Sequence, residues 1–284
     1  MRKYGFVCLF ICLLTVLCSC REKNLPVTQD PAVIPKTAEK ETDGENLEIR
    51  DMEIDDSKTE DDEIEDREDD ESIPALCGKR VVVDAGHGSF KSNKQERIAP
   101  NTDETKAAFD IGTTGKNQTE EELNLSVALL LEKKLTDKNA EVFMTRSAHE
   151  TDMTNIDRAE FANRRHADIS VKLHADGSSD SSASGISVLI PGAQYISDTE
   201  LLEKSKRAGE YVLHECVKST GAADRGIVQR NDLTGLNWSE VPIILVEMGF
   251  MTNRAEDALM ETAEYQQRIV DGIVNGLELY FEEG

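Results

Sequence analysis

The run Val81-Val82-Val83, followed closely by Ala85, Gly86 and Gly88, constrains this chain more than any other stretch. β-Branched residues in succession, without polar alternation, fit a strand covered on both faces, and such strands belong to parallel sheets with crossover connections. The small residues then predict a sharp turn at the strand's carboxyl end, which presents His87. Open α/β sheets bind ligands outside the carboxyl ends of their strands, so His87 is a candidate for contact with a metal or substrate. A histidine that merely caps a loop would look the same in sequence.

The 284 residues, 38% of them hydrophobic, suffice for one sizeable domain with appendages. The first 20 have the layout of a secretory signal: Arg2 and Lys3, an apolar run from Phe6 to Leu17, then Cys18-Ser19-Cys20. That run falls short of the ~20 residues a spanning helix needs. Leu17-Cys18-Ser19-Cys20 resembles a bacterial lipobox, which implies cleavage before Cys20 and a diacylglycerol on its sulfur. An ordinary cleaved signal or an uncleaved anchor is the competing reading. With that segment gone, only Cys77 and Cys216 remain as thiols in the soluble part, and a domain of this size does not require them to pair.

From Arg21 to about Ala75 the chain turns to Asp, Glu, Lys, Thr and Pro, with no aromatic residue. No core forms from such a composition, so residues 21–75 are expected to be a disordered tether. Between Glu41 and Glu71 stand 18 acidic residues against 3 basic ones, most of the chain's net charge of -24. Such a segment repels itself and stays extended. The same charge argues against nucleic acid as a partner, because phosphate recognition needs clustered lysine and arginine.

The globular part is expected over residues 77–284. After the His87 turn, Lys91 to Gln118 is polar and without apolar periodicity, which predicts a long loop. Leu123, Val127, Leu130, Leu131 and Leu135 recur at helical spacing behind Glu120-Glu121-Glu122, acids placed where a helix dipole favours them. Strands are predicted at 140–145, 168–173, 185–190 and 241–246, and helices at 155–163, 199–220 and 266–281. A second histidine, His174, follows the strand ending at Leu173, and Glu247 follows the strongly apolar strand 241–246. Strands alternating with helices imply an α/β fold: a twisted, mainly parallel sheet with helices on both faces.

Several ordered segments carry a resemblance. Asp-Ala-Gly-His-Gly (84–88), Glu-Glu-Glu-Leu-Asn-Leu (120–125), Thr145-Arg146, Arg158 with Ala162-Asn163, Ala-Asp-Ile-Ser-Val-Lys-Leu-His-Ala-Asp (167–176) and Val-Pro-Ile-Ile-Leu-Val-Glu-Met-Gly-Phe-Met-Thr-Asn (241–253) are similar to the zinc-dependent N-acetylmuramoyl-L-alanine amidases. The likeness covers essentially residues 79–283. It implies one zinc ion held by His87, Glu120 and His174, with Glu247 as the catalytic glutamate. Residues 77–284 would then be the catalytic domain, and residues 1–20 a lipoprotein signal peptide.

The residue chemistry stands beside that likeness. A hydrolytic zinc site takes three nitrogen or oxygen ligands and keeps one position open. Glu121 and Glu122 lie one and two residues beyond Glu120 and are alternative ligands. A carboxylate such as Glu247 at the end of an apolar strand is costly to bury without a partner or a task; the competing views are general base and structural ion pair. Asp84 and Asp176 stand near enough in sequence to orient the two imidazoles, or else cap the turns. Trp238 either lines the groove or packs. His149, His166 and His214 are expected to be ordinary surface or packing residues. The expectation is a lipid-anchored, extracytoplasmic, monomeric enzyme that cuts the amide between N-acetylmuramic acid and L-alanine of peptidoglycan. Another zinc peptidase or deacetylase of wall material, or an inactive wall-binding lipoprotein, is the alternative.

Overall fold

The computed structural model describes residues 74–283. The signal, Cys20 and nearly all of the acidic tether lie outside the described residues. The sheet has six strands: β1 (Arg80–Ala85), β4 (Glu141–Met144), β5 (Ile169–Asp176), β6 (Ile186–Pro191), β7 (Asp224–Arg230) and β8 (Ile243–Phe250). Their order is β4-β1-β5-β8-β6-β7, and every neighbouring pair is parallel except β6 with β8. Two three-residue strands, β2 (Gln95–Arg97) and β3 (Thr105–Ala107), form a separate antiparallel hairpin inside the stretch expected to be a loop.

Helices cover both faces. The long ones, α1 (Glu120–Asp137), α3 (Thr199–Thr220) and α6 (Ala263–Glu282), lie together on one side. There Val81, Val83, Ile169, Val171, Leu173, Ile244, Val246 and Met248 meet Leu123, Val127, Leu131, Val212, Ile269 and Ile273 in one continuous core. Along α6, a Cβ at Gly272 or Gly276 would collide with α3 backbone, so these glycines let the two helices touch main chain to main chain. Cys216 is enclosed at this contact and Cys77 is exposed; both thiols are free.

The opposite face carries Val82, Asp84, Ser170, Lys172, His174, Ile243, Leu245 and Glu247, the alternate residues of the same strands. It is covered by α2 (Asn155–Arg164) and the one-turn α4 (Thr234–Asn237), with only two small apolar clusters. The short α5 (Arg254–Met260) follows β8. Two strands run further than expected: alternation persists in β5 through Asp176 and in β8 through Phe250, so His174 and Glu247 sit within strands rather than beyond them. The edge strand β7 has only two apolar residues and gave no strand signal.

Candidate active site

Each of the three proposed ligands is delivered by a different element. His87 follows β1 with a left-handed backbone, φ 58°. That region costs a non-glycine residue on the order of 1–2 kcal/mol. The Arg158 guanidinium, donating to the His87 carbonyl at 2.5 Å, holds the turn there. The His87 Nδ1 lies 2.9 Å from the Asp110 carbonyl oxygen, which leaves Nε2 to face inward. His174 points from β5 toward the same spot, and its ring occupies the space a side chain at Gly86 would need.

The three acids at the start of α1 have separate fates. Glu122 accepts from the backbone N–H and the hydroxyl of Thr119, both at 2.9 Å, and so closes the helix start. Glu121 takes no part in the cluster. Glu120, 4% exposed, turns inward: its Oε1 lies 3.0 Å from His87 Nε2 and 3.0 Å from His174 Nδ1. Its Oε2 accepts the Thr113 N–H at 2.7 Å. Among the described residues this is the one group of three or more His, Cys, Asp or Glu side chains placed to hold a metal; its ligating atoms all lie within 4.8 Å of one another. Two imidazoles and one carboxylate match the donor set zinc takes in hydrolases.

Charge at the cluster follows from burial and proximity. Burial alone would raise the Glu120 pKa, but hydrogen bonds from His174 and His87 hold it well below the usual carboxylate range. The two histidines move in opposite directions although they share that carboxylate. Burial opposes charge on both; at His87 the Glu120 contact prevails and the pKa rises, whereas at His174 burial, helped by the positive charges of His87 and Lys172, outweighs Glu120 and the pKa falls.

Glu247 lies beside His174 in register on the neighbouring strand. Its Oε2 is enclosed and has no hydrogen-bond partner among the described residues. Burial, then the negative charge of Glu120 and of Asp176, pushes its pKa well above the ordinary value, with Arg230 pulling the other way. A carboxyl raised in this manner beside a metal-binding cluster suits proton transfer near neutral pH.

The cleft in front of these groups, about 230 Å³, runs over the α2/α4 face of the sheet. Phe90, Lys106, Phe109 and Asp110 wall it on one side, Leu233 to Leu236 on another, and Lys172, Leu189 and Leu245 floor it. Its walls were not legible in sequence: the 88–119 connection is ordered by its hairpin and by Glu96, which accepts from Asn155 Nδ2 at 2.8 Å and the Ile156 N–H at 3.2 Å. Asp257, in α5, accepts the Lys116 N–H at 2.7 Å and so fixes the loop that carries Thr113.

Other candidates fall elsewhere. Asp84 orients neither imidazole. It accepts from Thr145 Oγ1 and Arg158 Nη1, each at 2.5 Å, and from Lys172 Nζ, because all four are brought together beneath the His87 turn. Asp176 caps its own turn by accepting the Gly177 N–H at 2.7 Å. Trp238 does not line the cleft; its Nε1 donates to the Arg97 carbonyl at 3.0 Å, tying the β7–β8 connection to the hairpin. His149, His166 and His214 stand outside the cluster.

An α/β sheet with a His-Glu-His cluster and an unpaired glutamate over its strand ends defines a candidate metal-dependent hydrolase. Residues 81–279 match the family model described as N-acetylmuramoyl-L-alanine amidase, and the chain belongs to that family, amidase type 3. It is accordingly an enzyme, an N-acetylmuramoyl-L-alanine amidase. YqiI of Bacillus subtilis, an uncharacterized protein, is 31% identical over 206 residues, covering 72% of this chain and 86% of YqiI. N-acetylmuramoyl-L-alanine amidase AmiA of Escherichia coli is 26% identical, covering 72% of this chain and 77% of AmiA. Among solved structures, the amidase Ami1 of Mycobacterium smegmatis superposes with a TM-score of 0.68 over 74% of this chain and 99% of Ami1; at 24% identity this likeness speaks to the fold alone.

Proposed function

We propose that the enzyme is a zinc amidase in which His87, Glu120 and His174 hold one ion and Glu247 moves the protons, cutting the bond between N-acetylmuramic acid and L-alanine of peptidoglycan. The observation that carries this reading is the convergence of three ligand atoms within 4.8 Å, with the unpartnered Oε2 of Glu247 on the adjoining strand. When bound, zinc supplies Lewis-acid polarisation of the substrate carbonyl and acidifies water toward neutrality. Glu247 takes the proton of the attacking water at its free oxygen and returns it to the leaving amine nitrogen. The Asp110 carbonyl fixes the His87 tautomer, and Thr113 fixes the rotation of Glu120. Elemental analysis of the purified protein, with mass spectrometry of fragments released from purified peptidoglycan, tests the reading. Fragments cut elsewhere than the muramoyl amide, or zinc below a stoichiometric amount, would overturn it.

The setting is part of the same proposal. Residues 1–20 serve as a lipoprotein signal, Cys20 carries the lipid, residues 21–75 act as a solvated tether, and residues 77–284 work as a monomer outside the cytoplasm, facing the wall. The support is the Leu17-Cys18-Ser19-Cys20 sequence and the acidic run behind it. Among the described residues no helix is long and apolar enough to cross a membrane. Detergent partitioning of the wild type and Cys20→Ala, with the mass of each, decides the point: the variant should leave the membrane fraction or accumulate as the heavier precursor, and equal retention of both at the same mass would contradict lipidation.

A further inference from the structure

The cleft has an open rim and a closed end. Phe90 at the rim is 46% exposed, whereas Lys172 is 6% and Thr234 2% exposed, and both line the same cleft as His174 and Glu247. Two features of the closed end are unaccounted for by the chemistry above. The Thr234 hydroxyl is buried with no hydrogen-bond partner among the described residues. The Lys172 ammonium, which has three donors, has Asp84 as its one partner among the described residues.

The charges around it do not balance. Asp84 faces two buried cations, Arg158 and Lys172. Besides Asp84, Arg158 donates to the carbonyls of Ala85, His87 and Met153, and nearby Arg146 donates to the carbonyls of Ala85, Gly86, Ala148 and Glu121, so each uses most of its donors. The cations nearer the rim are already served: Arg230 is bidentate to Asp232, and Lys106 pairs with Asp110. Lys172, with one partner for three donors, is therefore the least satisfied of these buried cations. Gly235 keeps space open above it, since a side chain there would stand 3.2 Å from Lys172 Nζ. A buried charge with unspent donors lining the same cleft as an unpaired hydroxyl, next in sequence to the Gly235 that approaches it, suits an anion that can accept from both.

We propose that Lys172 and Thr234 form an anion subsite at the closed end of the cleft, which takes a carboxylate on the residue following the L-alanine of the substrate. This deepens the amidase reading and rests on it. Lys172 and His174 point the same way along β5, two residues apart, about 6.6 Å at the strand rise. An extended peptide covers that distance in about two residues, so a group on the second residue of the leaving peptide reaches Lys172 when the scissile amide lies at the metal cluster. Leu189, Leu236 and Leu245 surround the position with apolar wall, which strengthens the pairing of charge with charge.

The test uses the full chain and two matched compounds. Both are N-acetylmuramoyl-L-alanyl-D-glutamate capped as the γ-methylamide, one with a free α-carboxylate and one with an α-carboxamide. The wild type should prefer the acid by at least ~10-fold in kcat/KM, chiefly through KM, and calorimetry should show the same preference for the corresponding released dipeptides. Lys172→Met should abolish the preference and Thr234→Val should reduce it several-fold; if Lys172→Met does not fold, the Thr234→Val comparison decides alone. Cleavage of both compounds with equal kcat/KM would leave the amidase reading standing and overturn the subsite. Retention of full selectivity in Thr234→Val and Lys172→Met would overturn it as well. Cleavage of neither compound by the wild type would instead strike the amidase reading itself, and the subsite with it.

Discussion

The two faces of the central sheet are made by the same strands and do opposite work. In β5, Ile169, Val171, Leu173 and Ala175 enter the continuous apolar core under α1, α3 and α6. The residues between them, Ser170, Lys172, His174 and Asp176, face α2, α4 and the cleft. β8 repeats the division, with Ile244, Val246 and Met248 on one side and Leu245 and Glu247 on the other. One face spends its residues on burial, worth about 25 cal/mol for each Å² of apolar surface. The other accepts buried charge and unpaired polar atoms, which cost stability and return function only where they meet substrate or metal. Polar residues on that second face are not equivalent either. Asp84 is saturated by Thr145, Arg158 and Lys172, whereas Glu247 is left with a free oxygen.

The largest effect should come from the metal cluster. His174→Ala leaves two of the three proposed ligands, so zinc content should fall below stoichiometric amounts and activity should vanish together, while the core behind Leu173 and Ala175 keeps the chain folded. Full zinc occupancy in this variant, measured by elemental analysis, would break the division of labour between the faces. Glu247→Gln should separate chemistry from binding: turnover falls by about 10²- to 10⁴-fold, as expected of a general acid-base, with zinc content and melting temperature little changed. Loss of zinc in Glu247→Gln would make Glu247 a ligand instead.

Asp84→Asn probes a charge that is structural although it lies on the working face. Removing it strands Arg158 and Lys172, and breaking a buried pair typically costs about 3–5 kcal/mol. The pH dependence has a definite sign. Burial opposes ionisation of Asp84, but Arg158 and Lys172 outweigh it and hold the folded pKa far below the ordinary value. The stabilisation is therefore fully present above the unfolded pKa of about 3.9 and declines as pH falls below it. Denaturant melts should show a wild-type advantage that is constant from pH 8 to 5 and shrinks toward pH 3. An advantage that grows on acidification would contradict the assignment.

Leu131→Ala examines the other face. The side chain is fully buried against the sheet, and such truncations cost about 2–5 kcal/mol depending on how the cavity relaxes. Activity per folded molecule and zinc content should stay at wild-type levels at temperatures where the variant remains folded. A matching drop in turnover would mean that the apolar layer sets the geometry of the site as well as its stability.

These contrasts also explain what could be read from the sequence. Runs such as Val81-Val82-Val83 and Ile243-Ile244-Leu245-Val246 announce buried parallel strands because both of their faces are covered, and the long helices announce themselves by one apolar stripe. That His87, His174 and Glu247 gather toward the carboxyl ends of strands was legible; where those strands end was not, since β5 and β8 continue past His174 and Glu247. Partnership was not. Asp84 meets Arg158 and Lys172 across 74 and 88 residues of chain, and nothing local distinguishes it from a residue that would orient an imidazole. The hairpin of β2 and β3 was invisible for a different reason. Its three-residue strands bury little, and it is held by Glu96, Asn155 and Trp238 through tertiary hydrogen bonds rather than by pattern.

The smallest predicted effect lies where the two layers join. α1 packs on the apolar face, yet its first residue, Glu120, reaches over the sheet edge to the histidines. Glu122 closes that first turn by accepting from the Thr119 N–H and hydroxyl, and the loss of such a cap costs about 1 kcal/mol. Glu122→Ala should therefore lower stability far less than Leu131→Ala, but unlike Leu131→Ala it should also weaken zinc binding several-fold, because fraying begins at Glu120, the proposed ligand. Metal titration with a competing chelator, run beside a thermal melt on both variants, reads the two quantities separately. If Glu122→Ala loses stability with unchanged zinc affinity, the N–H groups of Thr113 and Ala175 and the two histidines hold Glu120 in place and the helix cap has no part in the site. If Leu131→Ala loses zinc affinity to the same degree, α1 acts as one rigid lever, and the separation between the working face and the apolar face ends at this helix.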